Sequence, residues 1–168
     1  MRRGYPVLQD WTAFDLFLPS LPALKREAAM HDFHFTMPYK VRVADINYGG
    51  HVSNAVVLNY FQDGRIAYLD RLGGFSEMDI GGCGIILPEA HVLYRAEMFL
   101  GDELIIGVRI SRLGRSSMVM ACRIERDGEV TAEGTTNLVA FDYVRRKPVR
   151  LPDKFVAAVR QMEGLPQE

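Results

Sequence analysis

Asp45, Asn47, His51, Ser53 and Asn54 all fall in the stretch Val41-Arg-Val-Ala-Asp-Ile-Asn-Tyr-Gly-Gly-His-Val-Ser-Asn54. A carboxylate or an imidazole can take a proton from water near neutral pH. A carboxamide cannot act as a base, but it can hydrogen-bond a water, a carbonyl or a neighbouring carboxylate. Directly after this stretch, residues 55–72 repeat apolar side chains at helical spacing, so the polar residues sit where an extended segment turns through Gly49-Gly50 into a helix. A helix N-terminus leaves backbone N–H groups unpaired and carries a partial positive charge. The N–H groups from Val52 to Ala55 can therefore polarise a carbonyl oxygen or hold an oxyanion, which makes Val52 and Ser53 substrate-binding candidates. The chemistry this combination suits is attack of water on a held carbonyl.

Three groups are candidates for the base: Asp45, His51 and Glu97. Each also has an ordinary role. Asp45 can form a turn with local backbone, His51 can pack beside its glycines, and Glu97, at the end of a largely apolar segment, can pair with an arginine. Ser53 and Asn54 suit helix capping, with Asn54 the capping candidate. Further along, Ser111-Arg112-Leu113-Gly114-Arg115-Ser116-Ser117 gathers cations and hydroxyls around a glycine, a grip suited to phosphates or to a solvated hairpin turn. Arg112, Arg115 and Ser116 are the substrate-binding candidates there. Arg145-Arg146-Lys147 reads as a charged strand end.

The same central stretch resembles the hotdog-fold acyl-CoA thioesterases of the 4-hydroxybenzoyl-CoA thioesterase type. Asp45-Ile-Asn47, Gly50-His51-Val52-Ser53-Asn54, Leu58-Asn-Tyr-Phe61 and Arg65 carry the resemblance. It implies hydrolysis of an acyl-CoA thioester to free acid and CoA, without cofactor or metal; Asp45, Asn47, His51 and Asn54 fall on its motif, and Glu97, read from its place at the end of an apolar segment, completes the catalytic candidates. It also implies that the Arg112–Ser116 turn meets the CoA phosphates. One departure stands out. The family's usual catalytic Asp falls four residues before the His, where this chain has Asn47. That departure opens the alternative of a non-catalytic acyl-thioester binding or sensor module.

The elements that must position these residues follow from patterning. Alternation from Phe33 to Val43 predicts a strand with a bend or edge at Pro38. Residues 55–72 predict a helix buried through Val57, Leu58, Phe61, Tyr68, Leu69 and Leu72, weakened at Gly64 and ended by Gly73-Gly74. Four more strands are predicted over residues 85–97, 103–112, 117–126 and 129–143, with a tight hairpin at Asp127-Gly128. A short helix over 153–162 closes the chain. This order suits an α+β domain in which an antiparallel sheet wraps a long central helix, the hotdog fold that the resemblance implies. A sheet edge and an open face left over in such a domain call for self-association. A homodimer is expected, and the resemblance allows a homotetramer.

At 168 residues and 48% hydrophobic, the chain has material for one well-cored domain. Its formal charge of −1 gives no bulk attraction to nucleic acid. Cys83 and Cys122 form no ligand or disulfide spacing, and no apolar run reaches membrane-span length. The reading is a cytoplasmic protein with no nucleic-acid or membrane partner. Residues 1–30, with Tyr5, Trp11, Phe14 and Phe17, differ from residues 31–168 and read as a partly ordered N-terminal extension, an arm packing on the domain or on a partner, with Met30 as an acceptable alternative start.

Overall fold

The computed structural model describes residues 30–166; the expected extension lies, apart from Met30, outside the described residues. The elements run in the order β1 (Phe35–Lys40), α1 (Asn54–Gly73), β2 (Gly84–Tyr94), β3 (Glu103–Leu113), β4 (Ser117–Arg126), β5 (Glu129–Asp142), β6 (Lys147–Pro148) and α2 (Asp153–Glu163), with a 3-10 turn at Val43–Asp45 between β1 and α1. The strands form one antiparallel sheet in the order β1-β3-β4-β5-β2, with β6 paired to the end of β5. This is the expected hotdog arrangement with one small strand added. The two residues of β6, Lys147 and Pro148, pair with Asp142 and Phe141; a strand so short carries no readable alternation.

The sheet curls around α1 because its inward row is continuously apolar. Ile106, Val108, Ile110, Met118, Met120, Cys122 and Ile124 are all buried and face the helix. From α1 come Val57, Tyr60, Phe61, Gly64, Arg65, Tyr68 and Leu69, a stripe at three- and four-residue spacing. Leu58, expected in that stripe, is instead 40% exposed, and Tyr60 takes the inward place. Gly64 has a positive reason to be there. A Cβ at this position would stand 2.7 Å from Val108 Cγ2 and 3.1 Å from Ile106 Cγ2, so the bare backbone lets the helix lie directly on β3. Arg65, beside it, is neutralised by Glu77 at 2.6 Å.

Two irregularities shape the ends of the sheet. Asp127 and Gly128 both take positive φ and close the β4–β5 hairpin with the expected two-residue turn. Just beyond it the ladder skips Thr131, whose carbonyl accepts from Arg95 N–H and Ala96 N–H at 2.8 and 3.1 Å. That steers the chain leaving β2 across the end of the sheet. On β3 the ladder shifts between Ile110 and Arg112. Because β1 begins only at the Phe35–Val108 pair, the Ile110 N–H lies beyond it. Glu163, at the end of α2, accepts that N–H at 3.0 Å and the Tyr68 hydroxyl at 2.6 Å. The side chain of Glu163 is fully buried, and His34 stands 3.3 Å away. Among the described residues, no helix is long and apolar enough to cross a membrane.

Candidate active site

The site is built where two loops meet over the start of α1. One is the 3-10 turn and the Asn47–Ser53 loop; the other is the exit from β2, Tyr94–Met98. They are joined by three contacts: Val52 N–H donates to the Met98 carbonyl at 2.8 Å, the Tyr94 hydroxyl donates to the Asn54 carbonyl at 3.0 Å, and His51 Nδ1 stands 3.3 Å from Glu97 Oε1.

Within the first loop, Asp45 is buried. Its Oδ2 accepts Arg42 N–H at 2.8 Å, and its carbonyl accepts Ser53 N–H at 2.9 Å. Both ends of the residue thus tie the 3-10 turn to the helix start, the turn-forming role. The buried Tyr60 hydroxyl lies against this carboxylate without a regular hydrogen bond, and burial first, then Asp45, push the phenol above its ordinary pKa. Asn47 closes the following turn. Its N–H donates to the His51 carbonyl at 2.8 Å, and its Oδ1 accepts Gly49 N–H at 2.8 Å. With the oxygen so placed, the side-chain NH2 is left to donate outward.

His51 and Glu97 are each partly exposed, 31% and 41% by side chain. Glu97 therefore pairs with an imidazole rather than the arginine that its ordinary role suggested. Arg126 donates instead to the Glu97 backbone carbonyl at 3.1 Å and to Asp102 at 2.6 Å. With Nδ1 facing a carboxylate, the Nε2 of His51 is the nitrogen left to accept a proton.

The helix start is narrower than the sequence suggested. The N–H groups of Val52 and Ser53 are both spent on the fold, which removes them as carbonyl donors. Ser53, not Asn54, is the N-cap, and it makes no side-chain cap bond. Among the described residues the N–H groups of Asn54 and Ala55 have no partner. They are the donors that remain for an incoming oxygen.

The phosphate candidates are elsewhere in the protomer. Arg112 and Arg115 are exposed and Ser116 half-buried, with the Arg115 and Ser116 carbonyls fixed by Leu151 and Ala140 N–H at 2.9 Å each. Their turn joins β3 to β4 at the end of the sheet away from His51, about 20–25 Å along the strands. The structure brings Asp45, Asn47, His51, Asn54 and Glu97 together, and does not bring Arg112, Arg115 or Ser116 to them within one chain. A cleft of about 420 Å³ also lies at that far end, lined by Cys83, Asp142, Arg145 and Arg150 among others. Concavity and chemistry therefore point to different places. His51 and the free helix amides of Asn54 and Ala55 lie at the opposite end of the sheet from that cleft.

Tyr94 and Tyr60 were not singled out by sequence. Tyr94 looks like one more apolar residue of a strand, and only the crossing of β2 past α1 gives its hydroxyl a partner. No group of three or more His, Cys, Asp or Glu that could hold a metal occurs among the described residues.

Known proteins share this fold. A thioesterase from Thermus thermophilus, solved with coenzyme A and Zn, superposes with a TM-score of 0.70 at 31% identity, covering 82% of this chain and 100% of that one. The long-chain acyl-CoA thioesterase FadM of Escherichia coli (strain K12) is 24% identical over 125 residues, 73% of this chain and 95% of that protein. The chloroplastic acyl-acyl carrier protein thioesterase ATL3 of Arabidopsis thaliana is 29% identical over 149 residues, 84% of this chain and 77% of that protein. The profile of the thioesterase-like superfamily matches residues 41–159, from just before the 3-10 turn into α2, and the chain belongs to that superfamily as a thioester hydrolase.

Proposed function

We propose that the chain hydrolyses acyl-CoA thioesters to free acid and CoA with His51 as the base, Glu97 as its orienting carboxylate, and the Asn54 and Ala55 N–H groups as the carbonyl donors. The observation that carries this is the 3.3 Å His51–Glu97 pair beside unpaired helix amides. His51 Nε2 takes a proton from water as the water oxygen bonds to the thioester carbon. Glu97 holds the imidazolium that forms, and the helix amides hold the carbonyl oxygen as it becomes an oxyanion. When the carbon–sulfur bond breaks, the imidazolium returns its proton to the CoA sulfur. The Asn47 NH2 donates to the attacking water or to the carbonyl. Asp45 keeps the loop in place.

Self-association completes this reading. Among the described residues β2 is a long edge strand with no neighbour on its outward side, and Leu87 and Tyr94 are 42% and 48% exposed on it. An antiparallel β2–β2 contact in a homodimer covers that edge. It also reverses the second copy end for end, so that the partner's Arg112–Ser116 turn approaches His51 and can meet the CoA phosphates. Residues 31–168 then act as one catalytic domain.

The test is release of free thiol from short, medium, long and aromatic acyl-CoAs, with Glu97→Gln and His51→Gln alongside. His51→Gln is expected to lower kcat by about 10²–10⁴-fold, and Glu97→Gln to lower it less, both with KM little changed. Full turnover in His51→Gln removes the imidazole from the mechanism.

A further inference from the structure

Each of the two donors left free at the head of α1 among the described residues shares its peptide group with a carbonyl oxygen, the Asn54 N–H with that of Ser53 and the Ala55 N–H with that of Asn54. The peptide group is conjugated. A hydrogen bond taken at its oxygen therefore draws electron density from its nitrogen and makes the N–H a stronger donor. The Ser53 oxygen accepts Val56 N–H at 2.9 Å, a bond that the first turn of the helix supplies for itself. The Asn54 oxygen also accepts from outside the helix, from the Tyr94 hydroxyl at 3.0 Å.

Tyr94 is firmly held for this contact. It is the last residue of β2 and pairs with Ala132 of β5. Directly after it, the Thr131 carbonyl takes the N–H groups of Arg95 and Ala96 at 2.8 and 3.1 Å, so the backbone on both sides of Tyr94 is fixed. Three residues on, Glu97 stands 3.3 Å from His51. The short exit from β2 thus reaches both halves of the site, the base through Glu97 and a carbonyl donor through Tyr94. Because Tyr94 is 48% exposed, little of the fold rests on its hydroxyl.

We propose that Tyr94 is a positioning residue for thioester hydrolysis: its hydroxyl holds and polarises the Asn54–Ala55 peptide group, so that the Ala55 N–H is aimed and strengthened for the oxyanion. That role presupposes the hydrolytic reading above, with the helix amides as the carbonyl donors. The gain is largest in the transition state, where negative charge develops on the carbonyl oxygen, and small for the bound thioester. It is therefore read in kcat rather than in KM.

The test is Tyr94→Phe, which keeps the ring and removes only the hydroxyl. Thiol release from an acyl-CoA is expected to fall about 3–10-fold in kcat, less than the roughly 10²–10³-fold that outright loss of an oxyanion donor costs. KM should stay within about twofold of the parent, and the thermal midpoint should not move. In amide NMR spectra of the full chain without substrate, the Ala55 N–H resonance is expected to shift upfield in Tyr94→Phe, by more than that of Asn54, whose peptide oxygen keeps its Val56 bond. A fall in kcat with the Ala55 resonance unmoved overturns the proposal, because Tyr94 then acts by another route. An active parent that Tyr94→Phe matches in kcat removes the role of Tyr94 alone. A parent that releases no thiol removes the hydrolytic reading, and the role of Tyr94 with it.

Discussion

Asn47 occupies the position that most invites substitution. Its oxygen accepts the Gly49 N–H, a bond that a carboxylate makes at least as well, so Asn47→Asp preserves the turn and adds a base beside His51. Thiol release by this variant is expected to equal or exceed that of the parent; complete loss with folding intact would contradict it. That Asp45, Asn47, His51 and Asn54 cluster at the start of α1 was legible from sequence, because they stand together beside the Gly49-Gly50 turn. Which of the helix amides are free was not legible. Val52 and Ser53 lose theirs to the Met98 and Asp45 carbonyls, and the first of these comes from a distant loop. The His51–Glu97 pair was equally hidden, since each residue has an ordinary role of its own and nothing local joins them.

Among the elements, α1 shows how a local penalty serves tertiary structure. Glycine in a helix costs about 1 kcal/mol relative to alanine, yet Gly64→Ala is expected to destabilise the protein by about 1–3 kcal/mol, because the methyl meets Val108 at 2.7 Å. Denaturant unfolding checks the sign, and a more stable variant would show that β3 yields easily. The strand alternation, the Asp127-Gly128 hairpin and the glycine end of α1 were readable because each has a strong local cause. The inward placing of Tyr60 over Leu58 was not, because both lie on the apolar side of the helix and the curl of the sheet decides between them. β2 ends at Tyr94 rather than running on to Glu97, since the skipped Thr131 takes the next two N–H groups.

At the scale of the molecule, the separation of Arg112 and Arg115 from His51 sets a test of assembly. If the partner's turn meets the phosphates, the paired change Arg112→Gln and Arg115→Gln raises KM for acyl-CoA about 10-fold or more while small thioesters lacking the nucleotide are turned over as before. Mixing this double variant with inactive His51→Gln chains should restore activity, because a mixed dimer contains one site with both intact; absence of rescue argues for sites complete in one chain. The far end of the same sheet depends on Glu163. Glu163→Gln is expected to cost about 1–3 kcal/mol, read from the thermal midpoint, because Tyr68 and Ile110 both donate to Oε1 and an amide oxygen there accepts less strongly than the carboxylate. Glu163 also lies 53 residues after Ile110 and 95 after Tyr68. At about 5–20 residues per second, a ribosome takes roughly 3–10 s to deliver Glu163 after Ile110. Over that interval β4, β5 and β6 are made as well, so the end of β3 that Glu163 seals is the last part of the sheet to be completed.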